Sequence, residues 1–267
     1  MEIEFRALSH TYPGRPPRAA LRDVTLHVPG GQFCAVLGPS GCGKSTLLRL
    51  AAGLLQPSAG QVALDGQPPD KAGREHRIAW LAQSPALLPW LTAEANVALA
   101  GRFARPGFNG RYSPREALAR VGLADAMEAY PFQLSGGMQQ RLSLARLLCQ
   151  GADGWLMDEP FAALDILTRE RLAGELLALW QPLRPTVLWV THHIYEALRL
   201  ADRIVVLGPL SADPPARGRG QVLLDLELDL PRPRREEDPA FQAAVYRLRR
   251  ALGVISEGLA AEPAVRA

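Results

Sequence analysis

Gly38-Pro39-Ser40-Gly41-Cys42-Gly43-Lys44-Ser45-Thr46 has the residue types and spacing of a loop built to hold phosphate. It fits G-x-x-x-x-G-K-[ST]. It also follows the apolar run Phe33 to Leu37 and precedes a helical pattern carrying Leu47, Leu48, Leu50, Ala51 and Leu54. That strand-to-helix setting is the context the pattern needs. The glycines let successive N–H groups turn inward, and the helix that follows aims its positive end at the same point. Lys44 is placed to reach terminal phosphates, and the Ser45 hydroxyl to ligate Mg²⁺. A ligand-free glycine turn is the competing reading, and the order of strand, loop, Lys-Ser and helix weighs against it. Of 30 basic residues only Lys44 and Lys71 are lysine, a count that coding bias alone can produce. A lysine that persists in such a chain marks a place for a compact ammonium rather than a planar fork.

Two further segments could complete a reaction. Trp155-Leu156-Met157-Asp158-Glu159 is a short apolar strand ending in two acids. Strand ends beside a phosphate loop are where ligands collect in open α/β sheets. Asp158 can hold Mg²⁺ through a water, and Glu159 can act as general base on an attacking water. An acidic strand terminus without function is the alternative. Leu134-Ser135-Gly136-Gly137-Met138-Gln139-Gln140-Arg141 places Ser135 as an N-cap ahead of two glycines, leaving a bare helix start and a second anion-binding terminus. A plain capped core helix competes with that reading.

The elements that position these groups follow from periodicity. Ile3 to Leu8 and Leu21 to Val28 alternate as antiparallel strands about the turn Pro13 to Arg18. Gln61 to Leu64 and Ile78 to Leu81 are short strands. Ala93 to Phe103, Pro114 to Val121 and Met138 to Cys149 read as helices divided by the loop Arg105 to Tyr112. Strands return at Trp155 to Met157, Thr186 to Val190 and Arg203 to Leu207, with a helix between the first two. The loop Gly208 to Gly220 leads to a strand at Val222 to Leu230 and a helix near Phe241 to Leu252, after which fraying is expected. The pattern predicts an α/β fold with a strand-rich start, a parallel core and an inserted helical block.

Composition excludes several classes. With 267 residues, 48% hydrophobic and 21% charged, the chain folds rather than staying disordered. No window approaches a membrane-spanning run, and the N-terminus lacks a secretory pattern, so a cytoplasmic location is expected. Cys34, Cys42 and Cys149 form no CxxC pair, against a disulfide framework or zinc ribbon. A net charge of +3 with dispersed basic residues does not call for nucleic acid.

The phosphate loop, LSGGMQQR and LMDEP, in this order and spacing, resemble the ATP-binding-cassette (ABC) ATPases over residues 1 to 230. That resemblance implies a P-loop NTPase with a RecA-like core, an N-terminal antiparallel β subdomain and a helical subdomain inserted at about 85–150, leaving 231–267 as a helical tail. It implies ATP and Mg²⁺ as ligands, and a head-to-tail homodimer in which Ser135, Gly136 and Gly137 of one copy complete the nucleotide site of the other. Tyr12 resembles the aromatic that stacks on adenine, with a core or surface tyrosine as the alternative. Gln83 resembles the glutamine that contacts Mg²⁺ and the attacking water and relays to a membrane partner. Ala163-Leu164-Asp165 resembles the loop that crosses the dimer interface, and His192 the switch histidine on the γ-phosphate. Two departures stand out. His193 occupies a position usually held by Asp, which leaves open which imidazole faces phosphate, and Gly154 replaces an apolar residue, an expected loosening of that strand by up to ~1 kcal/mol.

Leu87 to Val97 and the tail Asp229-Leu230-Pro231-Arg232-Pro233-Arg234 resemble the nitrate/sulfonate/taurine importers. A subunit of that kind sits on the cytoplasmic face of the inner membrane, acts on separate permease subunits and serves a solute-binding protein indirectly. The absence of an extra C-terminal β-domain fits the shorter importer cassettes. Pro89 and Trp90 would form part of a socket for a permease helix, the alternative being that Trp90 packs inside the helical block. Two other classes remain: a soluble cassette acting on DNA or ribosomes, and a nucleotide-gated interaction module without significant hydrolysis. Intact Lys44, Asp158, Glu159 and His192 argue against the second.

Overall fold

The computed structural model describes residues 1–104, 112–162, 164–208 and 220–253. Ala163, the interior of the two expected loops at 105–112 and 208–220, and the expected fraying at the chain end lie outside the described residues.

The chain begins with β1 (Ile3–Tyr12) and β2 (Arg18–Val28), then β3 (Phe33–Leu37), α1 (Lys44–Ala51), β4 (Ala59–Leu64), α2 (Pro69–Arg74) and β5 (Ile78–Leu81). Three helices follow, α3 (Ala93–Gly101), α4 (Pro114–Arg120) and α5 (Gly136–Gln150). After them come β6 (Gly154–Asp158), α6 (Ile166–Leu183), β7 (Thr186–Thr191), α7 (Ile194–Leu200), β8 (Arg203–Gly208), β9 (Gln221–Glu227) and α8 (Pro239–Ala251). β1 and β2 run longer than their alternation implies. Register shifts between Phe5 and Leu8 and again on to Thr11 break the period of two while the pairing continues to Tyr12 opposite Arg18. Two short helices, α2 and α7, escape the sequence pattern. α2 starts with Pro69 directly after Pro68, and α7 follows His193, which supplies no side-chain cap.

The strands form two sheets. β2-β1-β4 is antiparallel. The second sheet has the order β5-β6-β7-β3-β8-β9, with β9 alone antiparallel to its neighbour. Its central strands are buried on both faces, which is why they read as unbroken apolar runs. Phe33, Ala35 and Leu37 of β3, with Val187 and Trp189 of β7, face the helices α5, α6 and α7. Cys34, Val36, Leu188 and Val190 face α1 and the antiparallel sheet. Phe33 meets Trp180 and Trp189 edge-on at 5.5 and 5.6 Å, and Phe161 closes the group on Trp189 at 6.0 Å. That aromatic cluster lies beneath the loop leaving β6.

β6 keeps its sheet pairing with β5 and β7 through Gly154. A Cβ at Gly154 would lie 1.9 Å from the Met1 Cε, so the glycine makes room for the N-terminal side chain. The helical block α3–α5 interrupts the chain between β5 and β6, which are parallel neighbours. α8 returns to the core, with Phe241, Val245 and Leu248 in the same cluster as Trp180. Ahead of it, Arg234 donates to the carbonyls of Leu198 and Ala201, which α7 leaves without helical partners.

Candidate functional site

The carboxyl ends of β3, β6 and β7 lie along one edge, and each delivers part of the site. From β3 the chain passes through the Gly38–Thr46 loop into α1. Gly43 takes φ 101°, a conformation costly for any residue with a Cβ, and a Cβ there would also lie 2.6 Å from the Ala20 carbonyl oxygen. The Lys44 side chain folds over its own loop. Its ammonium donates to the carbonyls of Gly38 at 2.8 Å and Pro39 at 3.1 Å, and it is only 5% exposed. Tyr12, Ser40, Gly41, Gly43, Lys44, Ser45, Thr46 and Glu159 line one cavity of about 600 Å³. Cys42 sits behind the loop, buried, and burial raises its thiol pKa, so it packs rather than reacts.

β6 ends on the two acids. The Ser45 hydroxyl donates to Asp158 Oδ1 at 2.9 Å, and desolvation by burial raises the Asp158 pKa. Hydroxyl and carboxylate oxygens are the donors that suit a hard divalent cation, so this pair fits Mg²⁺. Glu159 takes φ 44°, a left-handed conformation that costs a non-glycine residue about 1–3 kcal/mol. Its N–H donates to the Val190 carbonyl at 3.0 Å, which fixes the turn. One carboxylate oxygen stands 3.7 Å from Lys44 Nζ and the other accepts from His192 Nδ1 at 2.8 Å. A carboxylate only accepts, so His192 carries its proton on Nδ1 in this pair.

β7 delivers both histidines, whose rings pack together at 4.0 Å but take different partners. His192 is exposed beside Glu159. His193 places its Nε2 against the Arg169 guanidinium at 3.1 Å. Arginine only donates, so this nitrogen is the acceptor and the ring is neutral. Burial, with His192 and Arg169 adding to it, depresses the His193 pKa to about 4. The folded chain thus refuses a proton that the unfolded chain accepts, and stability contributed by His193 above pH 6.5 is lost as pH falls toward 4. His193→Gln is expected to flatten this part of the acid limb, read as a smaller loss of Tm than wild type between pH 6.5 and 4.5.

The expected anion-binding helix start is present but opens elsewhere. Ser135 caps α5, its hydroxyl accepting from the Met138 N–H. Ser135, Gly136, Gly137, Leu164, Asp165 and Arg171 are among the residues lining a second cavity of about 330 Å³, which shares no residue with the first. Asp165 caps α6 by accepting from the Thr168 N–H at 3.0 Å, which lowers its pKa. Within one chain it therefore belongs with Ser135 and not with the phosphate loop. The Tyr12 ring lies edge-on to His10 at 4.7 Å, with its hydroxyl bonded to Thr46 at 3.1 Å on the rim of the first cavity. Gln83 is exposed just past β5 and makes no side-chain hydrogen bond to the cluster among the described residues.

Arg18 and Arg49 also line the first cavity. Neither stood out in the sequence, although Arg49 follows Ser45 by four residues on α1 and so shares its face. Arg169 went unnoticed because main-chain carbonyls of the turn just before it can be bonded whatever side chains that turn carries.

The family model for ABC transporters matches residues 21–162. Over 245 residues the chain is 44% identical to the nitrate import ATP-binding protein NrtD of Synechococcus elongatus, covering 90% of this chain and 87% of that one. The chain belongs to the ABC transporter family. The cassette is also 44% identical, over 234 residues, to the aliphatic sulfonates import ATP-binding protein SsuB 2 of Pseudomonas fluorescens, covering 87% and 79%. The bicarbonate transport ATP-binding protein CmpD of Synechococcus elongatus matches at 44%, covering 84% and 80%. Among solved structures, a dimeric ATP-binding cassette in a post-hydrolysis state with ADP and Pi superposes with a TM-score of 0.70 at 31% identity, covering 84% of this chain and 98% of that one. The expected fold and ATPase class hold: this is an ABC ATPase domain, with the antiparallel sheet, the parallel core and ATP as ligand.

Proposed function

We propose that the cassette is the ATP-hydrolysing subunit of an importer for a small anion of the nitrate, sulfonate or bicarbonate kind. Residues 1–230 form the ATPase, and the chain beyond them carries α8 (Pro239–Ala251). Two copies close head to tail over two ATP molecules, on two separate permease subunits at the cytoplasmic face of the membrane, and an extracytoplasmic binding protein selects the solute. One observation carries the reading: the phosphate loop and Glu159 line one cavity, with His192 bonded to Glu159, while the Ser135 helix start opens into another that shares none of its residues. A second copy is needed to bring the two surfaces together.

In that pair, Lys44 and the N-terminus of α1 hold the β- and γ-phosphates. Ser45 and Asp158, joined by Gln83, would hold Mg²⁺, which would offset charge on the phosphate oxygens. Glu159 takes a proton from the attacking water, and His192, fixed by Glu159, meets the γ-phosphate. The Ser135 hydroxyl and the Gly136 and Gly137 N–H groups of the other copy close over the same phosphates. Two ATP molecules bring strong negative charge into one interface, so closure requires nucleotide, and hydrolysis removes the contacts that hold the halves together.

The membrane-facing part of the reading rests on Trp90. It is 69% exposed, so the alternative that it packs inside the helical block fails. The buried Asn96 side chain holds the turn that carries it, donating to the carbonyls of Leu88, Leu91 and Thr92 and accepting from the Leu88 N–H. No helix among the described residues is long and apolar enough to cross a membrane. Trp90→Glu is expected to leave ATP hydrolysis by the isolated subunit within about twofold of wild type, since surface changes cost little. It should abolish co-purification with a polytopic permease subunit. Retention of that partner by Trp90→Glu would contradict the socket. Capture of a nucleic acid or ribosome instead would favour the soluble class.

A further inference from the structure

Arg169 lies in the first turn of α6, four residues after the Asp165 cap. Its Nε donates to the Phe161 carbonyl at 3.2 Å, and its Nη2 to the carbonyls of Ala162 at 3.4 Å and Leu164 at 2.8 Å. Its Nη1 meets His193 Nε2 at 3.1 Å. The buried Glu196 carboxylate of α7 stands 3.4 Å from Nε, with burial raising its pKa to about 7. One planar group thus joins the turn leaving β6, the start of α6 and the junction of β7 with α7.

Those segments carry the proposed base Glu159 and the histidine bonded to it. Phe161 follows Glu159 by two residues, and His193 adjoins His192. The left-handed turn at Glu159 persists only while its surroundings impose it. The Ala162 N–H closes that turn on the Glu159 carbonyl at 3.1 Å, and the Ala162 carbonyl is one of those Arg169 holds. Releasing Arg169 frees Ala162, and with it the aim of the Glu159 carboxylate toward His192. A guanidinium can serve three carbonyls and an imidazole at fixed angles, whereas an ammonium, a point charge with three donors, cannot span them.

We propose that Arg169 is a positioning residue for hydrolysis, clamping the turn after Glu159 to the switch-histidine segment so that base and histidine stay in register. The proposal rests on Glu159 being the general base.

The test uses the full chain with Mg²⁺ and ATP, measuring phosphate release, nucleotide affinity and thermal unfolding for Arg169→Gln, Arg169→Lys and Glu159→Gln. A lost register predicts a fall in kcat of roughly 10- to 100-fold in both Arg169 variants, with KM for ATP within about twofold, because Arg169 does not line the phosphate cavity. Arg169→Lys keeps charge and stem, so its failure to rescue marks the geometry of the fork. Wild-type kcat in either variant overturns the proposal. So does a parallel loss of kcat, nucleotide affinity and Tm in both, which marks a general structural role. If Glu159→Gln itself turns over normally, the reading of the base fails. If Glu159→Gln is inactive while the Arg169 variants are not, only the clamp fails.

Discussion

Glu159→Gln is expected to lower ATP turnover by roughly 10²–10⁴, about 3–5 kcal/mol of barrier, while nucleotide still binds. An amide of nearly the same volume keeps the turn but cannot accept a proton from water. The carboxylate it replaces lies 2.8 Å from His192 Nδ1 and 3.7 Å from Lys44 Nζ. Removing a negative charge beside Lys44 does not weaken the pull on phosphate, so affinity should hold or rise. Phosphate release measured over an ATP titration separates the two quantities. Near-normal turnover would show that another group activates the water.

Lys44→Ala is expected to act at the earlier step. Lys44 spends two of its three ammonium donors on the Gly38 and Pro39 carbonyls, which places the third toward the cavity it lines with Glu159. A charge-assisted hydrogen bond is worth about 1.5–3 kcal/mol, so its loss should weaken nucleotide binding by roughly 10- to 100-fold. Turnover should then be undetectable at ordinary ATP concentrations. Lys44→Arg should not restore it, because a planar guanidinium cannot fold back over a loop shaped around a compact ammonium. Equilibrium binding of a fluorescent nucleotide gives the answer, and unchanged affinity in Lys44→Ala would remove Lys44 from the phosphate site.

The reactive loop and the acids at the end of β6 were legible because phosphate binding at a strand-to-helix turn needs particular residues at particular spacings. The parallel core was legible because strands buried on both faces cannot alternate. Other features depend on distant chain segments and leave no local trace. Gly154 looks like a weak point until Met1 is seen to occupy the space beside it. α7 has no capping side chain to announce it. Of two adjacent histidines, one bonds Glu159 and the other bonds Arg169, 24 residues earlier in the chain. The Ser135 cap could be read directly, but its isolation from the phosphate cavity required the fold.

The most direct measurement mixes two inactive forms of the cassette. Lys44→Ala leaves every pair without a working loop, and Ser135→Arg leaves every pair without a working cap. In an equal mixture about half the pairs are mixed and each carries one intact site, so about a quarter of wild-type phosphate release should return if the two sites act independently. Activity that stays at the level of either form alone, with mixed pairs shown to be present, would mean that each copy works by itself.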